Sequence, residues 1–125
     1  MPDDLNGANR HPAGATMRQV LEKLLDDGRD DALLRFTLGS ICLQEADAET
    51  ALVHLQHAIE FDPTYSAAWK LSGAALLKLN RIDEARRVWT EGRSVAEKKG
   101  DLQVGREITV FLRRLDKQCA AANKG

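Results

Sequence analysis

Shifted by 34 residues, the chain falls onto itself: Gly39 lands on Gly73, Leu43 on Leu77, Ala51 on Ala85 and Leu55 on Trp89. A period of this length is that of a helical hairpin stacked on its neighbours, because one such unit cannot bury its apolar face alone. Two units fit, 32–65 and 66–99. The composition agrees with an all-helical chain. Leu, Ala, Arg, Glu and Lys dominate, and no β-branched run bounded by turn residues occurs. At 125 residues there is room for one domain with one core.

Residues 1–14 (MPDDLNGANRHPAG) mix Pro, Gly, Asn and Asp with few apolar side chains and are expected to form a disordered tail. Thr16 then opens a helix over 16–27, with Met17, Val20, Leu21, Leu24 and Leu25 on one face and Gly28 as its stop. A second helix over about 31–45 is apolar on two faces, one carrying Leu34, Leu38, Ile41 and Cys42, the other Leu33, Phe36, Ser40 and Leu43. A third, 48–61, stops at Asp62-Pro63. The fourth, 66–79, ends at Asn80, which tolerates a left-handed backbone, and the fifth, 83–99, ends at Gly100. Asp101 caps a sixth, 101–121, striped by Val104, Ile108, Phe111, Leu112, Leu115 and Cys119, and residues 122–125 are expected to be a disordered end.

The two units resemble the tetratricopeptide repeat. The first supplies Leu38-Gly39, Ala51, Leu55, Ala58 and Pro63, with Cys42 at the usual aromatic position and Arg35 at the usual Trp. Trp69, Gly73, Leu76, Ala85 and Trp89 mark the second, which has Ser72 for Leu, Gly92 for Ala and no closing Pro. The resemblance implies a single domain over 15–121: an all-α, right-handed helical-hairpin solenoid of two repeats, flanked by an N-terminal helix and a C-terminal capping helix. Gln103, Arg106 and Glu107 stand where a third signature would need Trp, Leu and Gly, so 101–121 reads as a cap. Trp69 and Trp89 are expected in the core.

In this family the first helix of each hairpin lines a concave groove that receives a peptide or helix of a partner protein. Carried over, the lining is Leu33, Phe36, Ser40, Leu43 and Gln44 from one repeat, and Ala67, Lys70, Ala74, Leu77 and Lys78 from the next. Apolar anchors would meet Leu33, Phe36 and Leu43, while Lys70 and Lys78 could hold a carboxylate. Phe36 and Ser40 occupy positions where chaperone-binding members carry clamp residues, which argues against that ligand. The expected role is an adaptor or chaperone-like module. Two alternatives stay open: the apolar groove closes a homodimer, or the first helix or the tail covers it.

Other chemistries find little support. His54 and His57 share one side of a helix with Glu60, but no second His or Cys pair completes a metal site, so both histidines are expected to be exposed and not ligands. GxGxxG and GxxxxGK are absent, and no serine lies in a nucleophile motif. No catalytic residue, cofactor or metal is therefore expected. Net charge is −1, against bulk attraction to nucleic acid or acidic membrane. Its distribution is uneven: residues 1–80 hold 7 basic and 12 acidic side chains, residues 81–125 hold 11 and 7. Cys42 and Cys119 show no metal or redox spacing, and no signal peptide or membrane span is evident, so a cytoplasmic location is expected.

Overall fold

A computed structural model describes residues 14–124, and the side chains to residue 122. The expected tail lies, apart from Gly14, outside the described residues. Among the described residues there are six helices: α1 (Met17–Asp26), α2 (Ala32–Gln44), α3 (Ala48–Phe61), α4 (Ser66–Lys78), α5 (Ile82–Lys99) and α6 (Leu102–Lys124). No strand occurs among the described residues. The last helix runs three residues past its expected end at 121, so most of the expected 122–125 end is helical.

The chain divides into two compact units after Asp30. In the first, α1 opens with a reciprocal capping box: the Thr16 hydroxyl accepts from the Gln19 N–H at 3.1 Å, and the Gln19 side chain accepts from the Thr16 N–H at 2.9 Å. None of the α1 side chains is buried.

In the second unit, aspartates start three helices by accepting backbone N–H groups that the helix leaves without partners: Asp31 from Leu34, Asp47 from Thr50 and Asp101 from Val104. The other ends close alike. After α2, α4 and α5 a residue with positive φ is followed by an N–H bonded back into the last turn, Asp47 to Cys42, Arg81 to Leu76 and Asp101 to Ala96. The left-handed residues are Ala46 (φ 63°), Asn80 (φ 61°) and Gly100 (φ 83°). Asn80 and Gly100 were expected at such positions; Ala46, one period before Asn80, was not. A left-handed alanine is strained by about 1–2 kcal/mol, and glycine regains most of this while loosening the unfolded chain. Ala46→Gly is therefore expected to stabilise the domain by about 0.5–1 kcal/mol, read as a higher urea midpoint at unchanged slope. An unchanged or lower midpoint would show that the loop stores no such strain.

Within the second unit, connections of two to four residues turn each helix back on the one before. From α2 to α6 each helix packs on its successor, and α2, α4 and α6 also meet across one step. The second unit is thus a helical-hairpin solenoid with α2, α4 and α6 along one face. Its interior follows the repeat. Gly39 lies so close to Leu55 that an added Cβ would come within 2.6 Å of the Leu55 Cγ, and Gly73 presses on the Trp89 indole in the same way one period later. Leu38, Cys42, Ala51, Ala58, Ala75, Leu76, Ala85 and Ala96 are also buried.

Two expectations change. Trp89 is core, 2% exposed, but Trp69 is half-buried and its indole N–H donates to the Pro63 carbonyl at 2.9 Å. The Trp69 Cβ would stand 2.6 Å from a Cβ at Gly92, which accounts for glycine where the repeat normally has alanine. His54, expected at the surface, is 8% exposed, with its Nδ1 3.1 Å from an Arg35 Nη1. A guanidinium only donates, so Nδ1 accepts and the ring proton sits on Nε2. The last helix, α6, packs on both α5 and α4, as a cap on the second repeat does. Its buried Val104, Ile108 and Leu112 lie 36 positions beyond Ala68, Ser72 and Leu76, two more than the repeat predicts.

Candidate partner-binding face

The ten groove residues expected from the sequence lie on α2 and α4, and none is buried. Leu33 is 61% exposed, Gln44 and Lys78 are exposed, and Phe36, Ser40, Leu43, Ala67, Lys70, Ala74 and Leu77 are half-buried. These helices bury their opposite sides against α3 and α5, through Leu34, Leu38 and Cys42 on α2 and Ser72, Ala75 and Leu76 on α4. The Ser72 hydroxyl has no hydrogen-bond partner, a sign that this position suits an apolar side chain better.

Not all of the expected anchors are available. Phe36 stacks on Tyr65, ring centroids 4.8 Å apart at 27°, so the residue just before α4 covers part of the α2 surface. Burial, and then the charge of Asp62, raise the Tyr65 phenol above its ordinary range. Lys70, expected to hold a ligand carboxylate, already has one: its Nζ is 2.8 Å from the Glu107 Oε1 on α6.

What the sequence left out is the contribution of α6. Ala74, Leu77 and Lys78 from α4, the edge of Trp89 from α5, and Phe111, Arg114 and Gln118 from α6 enclose an open hollow of about 440 Å³. Its floor is fixed from below. The Trp89 indole N–H donates to the Lys70 carbonyl at 2.9 Å, and its ring lies 5.3 Å from that of Phe111. At the N-terminal ends of α4 and α6, the Ser66 hydroxyl donates to Asp101 at 2.6 Å.

That bond, with the Val104 N–H and the charges of Lys99 and Lys70 behind it, holds the Asp101 carboxyl below its ordinary value. A carboxylate whose folded pKa is depressed adds stability above its unfolded pKa, and this is lost as pH falls through the folded one. Stability is thus expected to fall between about pH 5 and about pH 2, and less so in Asp101→Asn, which keeps a cap without the titration. Urea midpoints across that range check this; equal slopes for both proteins would remove Asp101 as a source.

The two histidines of α3 are turned apart. The Nδ1 of His57 faces Glu60 at 3.1 Å, while His54 turns inward to Arg35, so the pair does not present a common site. Among the described residues no group of three or more His, Cys, Asp or Glu could hold a metal ion. No helix among them is long and apolar enough to cross a membrane.

Comparison with known proteins agrees with this architecture. The tetratricopeptide-repeat family model matches residues 42–94. The chain is 48% identical over 101 residues to the TPR repeat-containing protein PA0015 of Pseudomonas aeruginosa, a match covering 81% of this chain and 96% of that protein. The solution structure of protein BPP2914 from Bordetella parapertussis superimposes with a TM-score of 0.79 at 41% identity, over 88% of this chain and 96% of that one. The fold alone is shared with the crystal structure of a tetratricopeptide repeat domain protein from Salinibacter ruber, with a TM-score of 0.66, 24% identity, and coverage of 70% and 98%. With the 34-residue register, the two glycine contacts and a relative matched over most of both lengths, the chain belongs to the tetratricopeptide-repeat family, whose members generally serve as protein-interaction modules.

Proposed function

We propose that the protein is a non-catalytic adaptor whose α2–α4–α6 face receives a peptide or helical segment of another protein, in the cytoplasm. One observation carries the reading. Helices whose far sides are fully packed keep Leu33, Leu43, Ala74 and Leu77 in partial or full contact with solvent. A row of apolar side chains spaced along adjacent helices suits an apolar or mixed segment laid across them. Cys42 and Cys119 are not joined in a disulfide, which fits a reducing compartment.

Its test uses a partner recovered by affinity capture from native extract. Ala74→Arg sets a charged side chain in the middle of the face, and is expected to weaken that partner by more than about tenfold, with helical content unchanged. Val53→Glu, at a 50% exposed position on α3 outside this face, should leave it intact. Binding that survives the first change and fails with the second would place the contact elsewhere. A second reading, self-association through the same face, is favoured by the exposure of Leu33. Sedimentation distinguishes the two, since a monomer at tens of micromolar excludes the dimer.

A further inference from the structure

Resting on that reading, we infer that the hollow between α4 and α6 selects an acidic partner segment that inserts one apolar side chain. The floor is apolar: Ala74, Leu77, Phe111 and the edge of Trp89. It is also rigid, because Trp89 is tied to the Lys70 carbonyl and seated against Phe111, so a ligand side chain meets a preformed surface and little ordering is required on binding. A volume of about 440 Å³ leaves room for one Leu- or Phe-sized group and the backbone carrying it.

Charge at the rim decides the ligand class. Lys78 and Arg114 border the hollow together with Gln118, and its lining contains no carboxylate. Neighbouring acids on α6 are already engaged, Glu107 with Lys70 and Asp116 with Arg86. Neither Lys78 nor Arg114 forms an ion pair with any described residue. Two cations at the mouth of an apolar recess favour a ligand carrying carboxylates beside its anchor and repel a basic one. Arg114 adds a forked donor suited to a carboxylate. A protein segment fits this arrangement better than a nucleic acid, because the recess accepts one side chain and no row of stacking rings continues from it.

The experiment uses the full chain and three labelled peptides of about 12 residues that share one Leu/Phe helical stripe and differ only in flanks of Glu, Gln or Lys. The Glu peptide is expected to bind at least about tenfold more tightly than the Gln peptide, and the Lys peptide weakest of all. Lys78→Glu with Arg114→Glu should reverse that order while the thermal melt stays in place. Equal binding of the Glu and Gln peptides, both lost with Ala74→Arg, overturns the charge selection and leaves the groove reading standing. Peptide binding that ignores Ala74→Arg overturns both. Three results assign the hollow to another occupant and overturn the inference: a thymidine oligonucleotide that binds as well as the Glu peptide, self-association abolished by the charge reversal, or affinity for the Glu peptide raised about tenfold by removing residues 1–13.

Discussion

Replacing Trp89 by alanine is expected to lower the unfolding free energy by about 4 kcal/mol, the largest loss of any single truncation in this domain. The indole is 2% exposed and belongs to a buried cluster with Ala96, Val104, Ile108, Leu112 and Leu115, so it joins α5 to α6. Against α4 it fills the space over Gly73 and donates to the Lys70 carbonyl. Truncation removes the apolar contact, leaves a cavity between three helices and deletes that hydrogen bond. Since a small domain has a stability of about 5–15 kcal/mol, the variant should melt roughly 20 °C lower. Trp69→Ala is the control. That side chain is half-buried, and its bond to the Pro63 carbonyl is exposed to water, so about half the loss is expected. Urea titration followed by circular dichroism avoids relying on the removed fluorophore. Equal losses from the two substitutions would mean that Trp89 does not hold the third layer of helices in place.

Most of the fold could be read from residues 32–99 because two physical constraints repeat at 34 positions. A small residue on the first helix of each hairpin faces a large one on the second, Gly39 with Leu55 and Gly73 with Trp89, and each hairpin turns at a left-handed residue, Ala46 and Asn80. The reading weakened where a pair changed chemistry together. Arg35 stands where Trp69 stands one period later, and its guanidinium reaches into α3 to His54, drawing inward a histidine that helical spacing alone assigns to solvent. Likewise Gly92 is a departure from the repeat only until Trp69 is seen lying over it.

The candidate face was legible in part for a related reason. Its α2 and α4 residues follow from the register, but the buried stripe of α6 is offset from that of α4 by 36 positions, not 34. The cause is local: α5 spans 18 residues where α3 spans 14, and the connection after it has two residues instead of four, a net delay of two. The longer helix delays the start of α6 and places Gly105, not Gln103, opposite the position of Trp69. A signature search at constant period therefore meets the wrong residues. Phe111 and Arg114, which complete the hollow with Leu77 and Lys78, could have been found by aligning the buried stripe of α6 to that of α4 without fixing the period. The engagement of Lys70 by Glu107 carries no local sequence signal, because the two residues are 37 positions apart on different helices.

Gly73→Ala tests the same packing from the opposite side. In an unconstrained helix this change stabilises by about 1 kcal/mol, since alanine restricts the unfolded backbone. Here the new methyl group would overlap ring atoms of Trp89, which are held by the Lys70 carbonyl on one side and by Phe111 on the other. Relief requires α4 and α5 to separate or the indole to leave its rotamer, each opposed by close-packed neighbours. A net loss of about 3 kcal/mol is expected, with the gain in helix propensity already deducted. Gly105→Ala provides the contrast, since its Cβ would meet only Ala96 Cβ at 3.8 Å, an ordinary contact. That variant should be more stable than the parent by about 0.5–1 kcal/mol. Opposite signs at two buried helical glycines of one solenoid would isolate helix separation as the quantity that glycine sets at position 73. Stabilisation by both substitutions would show that α4 and α5 have slack between them, and that the register of the repeat depends on something other than this contact.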